Sequence, residues 1–216
     1  MAHVTLVRHG QANSTARDEG GYDRLSDLGK QQSAWLGGHF REAGEVFARV
    51  YSGTLRRHVE TAEAMGSQDV TRDPRLNEMQ YFTMAQALSD QHGIAIPQDR
   101  EEFVTHLPLL FRHWQEDRLD GVPERFADFE ARVTAVLTEI AEGRGRALVV
   151  TSGGLIGMAM RVAMGLDLTA MAHVCLAIEN TSVHRLQPLP TGLALVQFNA
   201  LPHLEDPHRQ HARSHI

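Results

Sequence analysis

At 216 residues the chain has room for one domain with a large core, or one domain with an elaborated side region. Apolar residues at 42% and charged residues at 22% exclude wholesale disorder and fibrous or coiled-coil architectures, and no apolar run approaches the roughly 20 residues that span a bilayer. The net charge of −6, from 21 basic and 27 acidic residues, speaks against a general nucleic-acid or membrane-surface role. Met1-Ala2-His3-Val4-Thr5-Leu6 enters a strand-like run without the charged start and cleavage site of a secretory leader, so a cytoplasmic protein is expected.

In chain order, Val4-Thr5-Leu6-Val7 reads as a first strand, Val50-Tyr51-Ser52 as a second and Ala147-Leu148-Val149-Val150-Thr151 as a third. Ser182-Val183-His184-Arg185-Leu186 and Ala194-Leu195-Val196-Gln197-Phe198 follow, joined across Pro188, Pro190 and Gly192 as a hairpin-like pair. Apolar spacing of three and four predicts helices over about 29–43, 55–66, 84–92, 101–116, 125–142 and 154–164. This rhythm is that of an α/β protein: a three-layer α/β/α sandwich around a mostly parallel central sheet. The stretch 80–122 has helical period and no strand, which suggests a helical cap inserted into a single domain of residues 1–200. Residues 201–216 carry His203, His208, His211 and His215 without any apolar period and read as a polar, solvated tail; adventitious metal binding is expected there rather than an ordered site.

Cys175, the one cysteine, reads as a core thiol. Met158, Met160 and Met164 read as packing against the sheet, Trp35 and Trp114 as core or interface anchors. Lys30 is the single lysine, so the basic charge is almost all arginine, whose planar fork suits bidentate phosphate or carboxylate binding.

Three strand ends carry conspicuous polar groups: Arg8-His9-Gly10, Arg56-Arg57 and Ser152-Gly153-Gly154. Ligands of open α/β sheets sit beyond the carboxyl ends of strands. If these strands are parallel neighbours, Arg8, His9, Arg57 and the backbone N–H groups after Ser152 converge on one spot that suits a tetrahedral dianion. Taken alone, Arg8-His9-Gly10 reads more simply as a salt-bridged turn; its neighbours change that.

The blocks Val4 to Gly10, Leu25-Ser26-Asp27-Leu28-Gly29-Lys30-Gln31-Gln32 and Val50-Tyr51-Ser52-Gly53-Thr54-Leu55-Arg56-Arg57-His58-Val59-Glu60-Thr61-Ala62, in that order, resemble the histidine phosphatase superfamily, the phosphoglycerate mutase-like proteins. The resemblance runs from residue 4 to about 198. It implies His9 as the nucleophile that becomes phosphohistidine, with Arg8 and Arg57 binding the phosphate oxygens. Glu78, in Leu76-Asn77-Glu78-Met79, matches the element that supplies the proton donor to the leaving group; the alternative is a surface carboxylate at a turn. No cofactor and no metal are implied, and the expected ligand is a small phosphorylated molecule, not a nucleic acid or a membrane.

One block departs from the pattern. Where the family has a second histidine before Gly-Gly, this chain has Ser152, followed by Gly153 and Gly154. A serine hydroxyl still donates a hydrogen bond to a phosphate oxygen, and Gly153 still offers backbone to it, but the positive charge is gone, and loss of a preorganised donor typically costs about 10²–10³ in rate. His58 and His184 are the candidates to take the missing imidazole's place; both read more simply as packed histidines. Ser152 as a hydrolase-elbow nucleophile is disfavoured because Val150 stands where that turn needs glycine. Asn180-Thr181-Ser182 resembles a turn that approaches the pocket in relatives, and the acidic residues of 123–133 read as capping and solvating a helix. A metal-independent, acid phosphatase-like phosphomonoester hydrolase is therefore expected. The alternatives are a catalytically weakened phosphate-ligand binding or regulatory protein and, less favoured, a phosphoglycerate-type mutase. A homodimer through a sheet edge or the Trp35 helix is compatible with the sequence, which contains nothing that selects it.

Overall fold

The computed structural model describes residues 3–13 and 15–215; Met1, Ala2, Ser14 and Ile216, which include the start of the expected domain and the end of the expected tail, lie outside them. The elements in chain order are β1 (Val4–Arg8), α1 (Glu19–Tyr22), α2 (Asp27–Glu42), β2 (Arg49–Ser52), α3 (Arg56–Ala64), β3 (Val70–Arg72), α4 (Tyr81–His92), α5 (Arg100–Gln115), α6 (Phe126–Glu142), β4 (Ala147–Thr151), α7 (Gly153–Met164), α8 (Leu168–Ala177), β5 (Val183–Leu189) and β6 (Gly192–Ala200). They build a mixed six-stranded sheet in the order β3-β2-β4-β1-β5-β6. β1 to β4 are mutually parallel, β5 runs antiparallel to β1, and β6 runs antiparallel to β5.

The period-2 alternation of the strands makes the three layers. On β1 and β4, Leu6, Ala147 and Val149 face one core, where α4 to α8 contribute Leu88, Phe111, Trp114, Phe129, Ile156 and Met171. Val7, Leu148 and Val150 face the other, where Leu36 and Phe40 of α2 meet Ala62 of α3. Both central strands are buried along their whole length, which is why their sequences are nearly continuous apolar runs. The stretch 80–122 sends Met84, Leu88, Leu107, Leu110 and Trp114 into the core of the first face.

Several elements differ from the sequence reading. β3 is an edge strand of three residues, too short to leave a periodic signal. α8 fills the gap between α7 and β5, where apolar residues run almost unbroken and no helical face stands out. Pro188 lies inside β5, opposite Leu193, which confines the connection to Pro190-Thr191; Gly192 leaves the turn at φ 138°, where a side chain would be strained. Met158 and Met160 are buried, but Met164 ends α7 on the surface.

The tail also departs from expectation. Residues 202–204 and 210–212 form 3₁₀ turns, and Leu201, Leu204 and Ala212 pack on Leu28 and Trp35. Gln32 Nε2 donates to Ala212 O at 2.6 Å and to Ser214 Oγ at 2.9 Å. His203 is buried with Nε2 2.8 Å from Thr181 Oγ1, while His208 and His211 are exposed. A segment held by three scattered apolar contacts and side-chain hydrogen bonds has no period to read. Among the described residues, no helix is long and apolar enough to cross a membrane.

Candidate active site

The parallel strands deliver their carboxyl ends to one place. β1 ends in Arg8 and runs into His9, whose N–H donates to Thr151 O of β4 at 2.8 Å. On the other side, Thr181, at φ 57°, turns its N–H back to the carbonyls of Arg8 and His9, and Asn180 Nδ2 donates to His9 O at 3.2 Å. Gly10 is required there: a Cβ would fall 2.3 Å from the Gly29 carbonyl of α2. The backbone of His9 is thus clamped from both flanks.

The His9 ring is 2% exposed. Its Nδ1 lies 2.7 Å from Gly10 O; a carbonyl only accepts, so Nδ1 carries the hydrogen and Nε2 keeps the lone pair. Burial, followed by the charges of Arg57 and Arg8, holds the imidazole well below the usual histidine range, which keeps it neutral. The imidazole is thus buried and neutral, with its Nε2 lone pair unspent beside the charges of Arg57 and Arg8.

Arg8 and Arg57 are 4% and 3% exposed. Arg8 Nη1 is tied to Ile178 O at 2.6 Å, and Arg57 Nη1 to Asp23 Oδ1 at 3.1 Å. The Nε–H of each is buried without a protein acceptor. Asp23 also caps α3 from a distance: Oδ2 accepts from Arg56 N at 2.9 Å and Oδ1 from Arg57 N at 3.1 Å, filling the role that the side chain of Leu55 cannot. Arg57 further stacks over the Tyr22 ring at 5.1 Å, and that ring stands edge-on to His9 at 6.2 Å.

Ser152 is the N-cap residue of α7, yet its hydroxyl makes no capping bond. Oγ is 2.5 Å from His58 Nε2 and 3.4 Å from Arg57 Nη2. The cap of α7 comes instead from Glu78, whose Oε2 accepts from Gly154 N at 2.9 Å while Oε1 accepts from its neighbour Met79 N. Arg132 of α6 donates to the carbonyls of Arg75 and Asn77 at 2.7 and 2.9 Å and is itself paired with Glu124 at 2.6 Å, which fixes the loop that carries Glu78. A Cβ on Gly153 would lie 3.6 Å from Arg8 Nε, so its backbone borders the same pocket.

His9, Arg8, Arg57, Ser152 and Gly153 therefore lie together, with Glu78 on the first turn of α7 beside them. Of the two candidate stand-ins, His58 is at the site, its ring 5.8 Å from that of His9. His184 is not: it is bound to Ser182 Oγ and Asn199 N and packs on Phe198. Cys175 is buried and burial raises its thiol, an inert core residue. Among the described residues, no group of three or more His, Cys, Asp or Glu could hold a metal.

Residues 4–201 match the model of the histidine phosphatase superfamily, branch 1. The chain belongs to that family. Its fold is shared with a phosphoserine phosphatase variant from Entamoeba histolytica in complex with phosphoserine, at 18% identity and TM-score 0.70 over 94% of this chain and 100% of that one. The YhfR protein of Bacillus stearothermophilus is 24% identical, TM-score 0.69, over 95% and 100%. A phosphoglycerate mutase from Bacillus anthracis is 20% identical, TM-score 0.69, over 94% of each. The superfamily thus contains phosphatases and mutases on one scaffold.

Sequence reasoning missed four contributors to this pocket. Asp23 and Tyr22 lie at the end of α1, a single helical turn too short for apolar spacing to carry a signal. Glu19 is a second carboxyl near Glu78; burial is the main cause that raises it above the usual range, and its Oε1 accepts from Phe82 N at 2.9 Å. The tail is the fourth: Ser214 binds Asn180 through O and Oγ, and Asn180 holds the His9 carbonyl.

Proposed function

We propose that the chain is a phosphomonoester hydrolase acting on a small phosphorylated molecule through a phosphohistidine on His9. The observation that carries this reading is the tautomer of His9: Nδ1–H is spent on Gly10 O, and Nε2 is neutral and bare beside Arg8 and Arg57. The Nε2 lone pair attacks phosphorus in line, and the P–O bond to the leaving group breaks with its electron pair on oxygen. Glu78 supplies the proton that makes an alcohol leave. Water, giving a proton back to the Glu78 carboxylate, then attacks phosphorus, and the N–P bond breaks with its electron pair on Nε2, which releases inorganic phosphate and restores neutral His9. Arg8 and Arg57 neutralise the equatorial oxygens throughout, so the scheme is metal-independent; positioning and charge carry most of phosphoryl transfer.

The competing reading is a phosphate-ligand binding or regulatory protein, and Ser152 is the feature that favours it, since a neutral hydroxyl stands where the family resemblance implies a second histidine. Hydrolysis of an aryl phosphate by wild type and His9→Ala, with chelator present, separates the two. His9-dependent, chelator-resistant turnover through an acid-labile phosphoenzyme supports the hydrolase. Equal negligible rates together with phosphate-ester binding support the binding protein.

A further inference from the structure

We propose that His58 is a positioning residue for the phosphoryl group: it holds and polarises the Ser152 hydroxyl so that Ser152 can only donate to the bound anion. This rests on the reading of the His9 pocket as a phosphoryl site.

His58 and Arg57 are consecutive residues at the start of α3, and both side chains are buried, 0% and 3% exposed. Neighbours on a helix diverge by about 100°, so each needs its own space. Arg57 lies between Asp23 and Tyr22. The space for His58 is made by Gly53, where a Cβ would fall 2.2 Å from His58 Nδ1 and 2.7 Å from Asn77 Oδ1. The ring then lies 34° from parallel to His9 and reaches Ser152 with Nε2.

His184 has both nitrogens satisfied, whereas His58, like His106 and His203, has one buried ring nitrogen without a partner. What sets His58 apart is where its single hydrogen bond goes: to Ser152, a residue of the pocket. Burial and the adjacent Arg57 keep the ring neutral, so it carries one N–H. A buried N–H without an acceptor is among the rarest unsatisfied groups, which places the hydrogen on Nε2, pointing at Ser152 Oγ. Arg57 Nη2 points at the same oxygen. A hydroxyl has two lone pairs and one hydrogen. With both lone pairs taken by donors, the remaining O–H has no role but to donate, and accepting two bonds strengthens it as a donor. The arrangement gives a neutral serine part of the pull that a charged group would exert on a phosphoryl oxygen.

The test is a double-mutant cycle on vanadate binding, read by calorimetry on the full chain: wild type, His58→Ala, Ser152→Ala and the pair, with His58→Gln as the conservative variant that keeps an N–H near Nε2. Each alanine should weaken vanadate by about ten- to a hundred-fold, the scale of one hydrogen bond to a charged group, the pair should be no worse than Ser152→Ala alone, and Gln should recover most of the loss. In wild type, nitrogen NMR should find His58 protonated at Nε2 only. Additive losses, unchanged affinity in a folded His58→Ala, or Gln as poor as Ala would overturn the proposal. If His58→Ala does not fold, the Gln variant and the tautomer decide it. Coupled vanadate binding without His9-dependent turnover would sink the hydrolase and leave this inference standing; no vanadate binding by wild type would sink both.

Discussion

Asp23→Ala tests the charge balance of the site more sharply than any change to the nucleophile. The Asp23 carboxylate is the anion that Arg57 holds in the unliganded protein, at 3.1 Å, with the guanidinium 3% and the carboxylate 23% exposed. It is also the side chain that caps α3. Loss of a cap costs about 1 kcal/mol. Breaking a buried pair costs about 3–5 kcal/mol, but water can enter on the partly exposed side of Asp23, so about 2 kcal/mol is the appropriate share here. The sum is roughly 3 kcal/mol, or ~6–12 °C in melting temperature for a chain of this size. Asp23→Asn, which can still accept at the helix end, should lose only the ion-pair share. The decisive comparison adds inorganic phosphate. In wild type a phosphate dianion must share Arg57 with Asp23; in Asp23→Ala it restores the missing negative charge. Phosphate should therefore bind about tenfold more tightly to the variant, ~1.4 kcal/mol of coupling, and its stabilising increment in a thermal melt should be larger than in wild type. Equal phosphate increments in both proteins would refute the reasoning, because they would mean that Arg57 does not face the anion.

Three further outcomes are expected. His184 and His203 are pushed down to about 3 by burial. Unfolded chains take up these protons near 6.5 and the folded chain does not, so stability should fall as pH drops below about 6.5, by about 2 kcal/mol per histidine at pH 5; urea unfolding at pH 7 and 5 should show it, and a His203→Gln variant with an unchanged pH slope would contradict it. Ending the chain at Ala200 removes the buried Leu201, Leu204 and Ala212 from Trp35 and should cost about 4–5 kcal/mol, with a red shift of tryptophan emission; an unaltered melt would show the tail to be dispensable. Ser152→His should fail to improve aryl-phosphate turnover, since Oγ is already 2.5 Å from the His58 ring, whereas the same change combined with His58→Ala frees that volume and should outperform the single variant; the reverse order would contradict the packing at the site.

Five of the six strands and most helices were legible because their signals are local. Val4–Arg8 and Ala147–Thr151 are strongly apolar runs since both faces of each strand are covered, and the apolar spacing over 29–43 follows the face of α2 that buries Leu36 and Phe40. The convergence of Arg8, His9, Arg57 and Ser152 followed from strand ends of a parallel sheet. What stayed hidden depends on tertiary partners. The tail is bound by Gln32, from nearly the other end of the chain, and by Asn180, through hydrogen bonds that impose no spacing on residues 201–216. Asp23 acts on α3 from 33 residues away, so no rule that looks for a capping residue next to its helix could find it.

His58 shows why a residue's neighbours in sequence mislead about its work. At the start of a helix, beside an arginine and before Val59 and Glu60, it has every mark of a packed or surface residue. Its placement is decided by two glycine-sized permissions elsewhere: Gly53, which leaves room for the ring, and Gly154, which lets Glu78 reach across and take over the cap of α7. Because Glu78 caps that helix, Ser152 does not have to, and its hydroxyl is free to turn toward His58 and Arg57. The orientation of Ser152 is thus one part of an arrangement shared by Gly53 just after β2, His58 on α3, Gly154 on α7 and Glu78 in the loop before α4. Any account of what Ser152 does to the chemistry has to treat them as a set, since changing one alone leaves a buried nitrogen or a helix end without its partner.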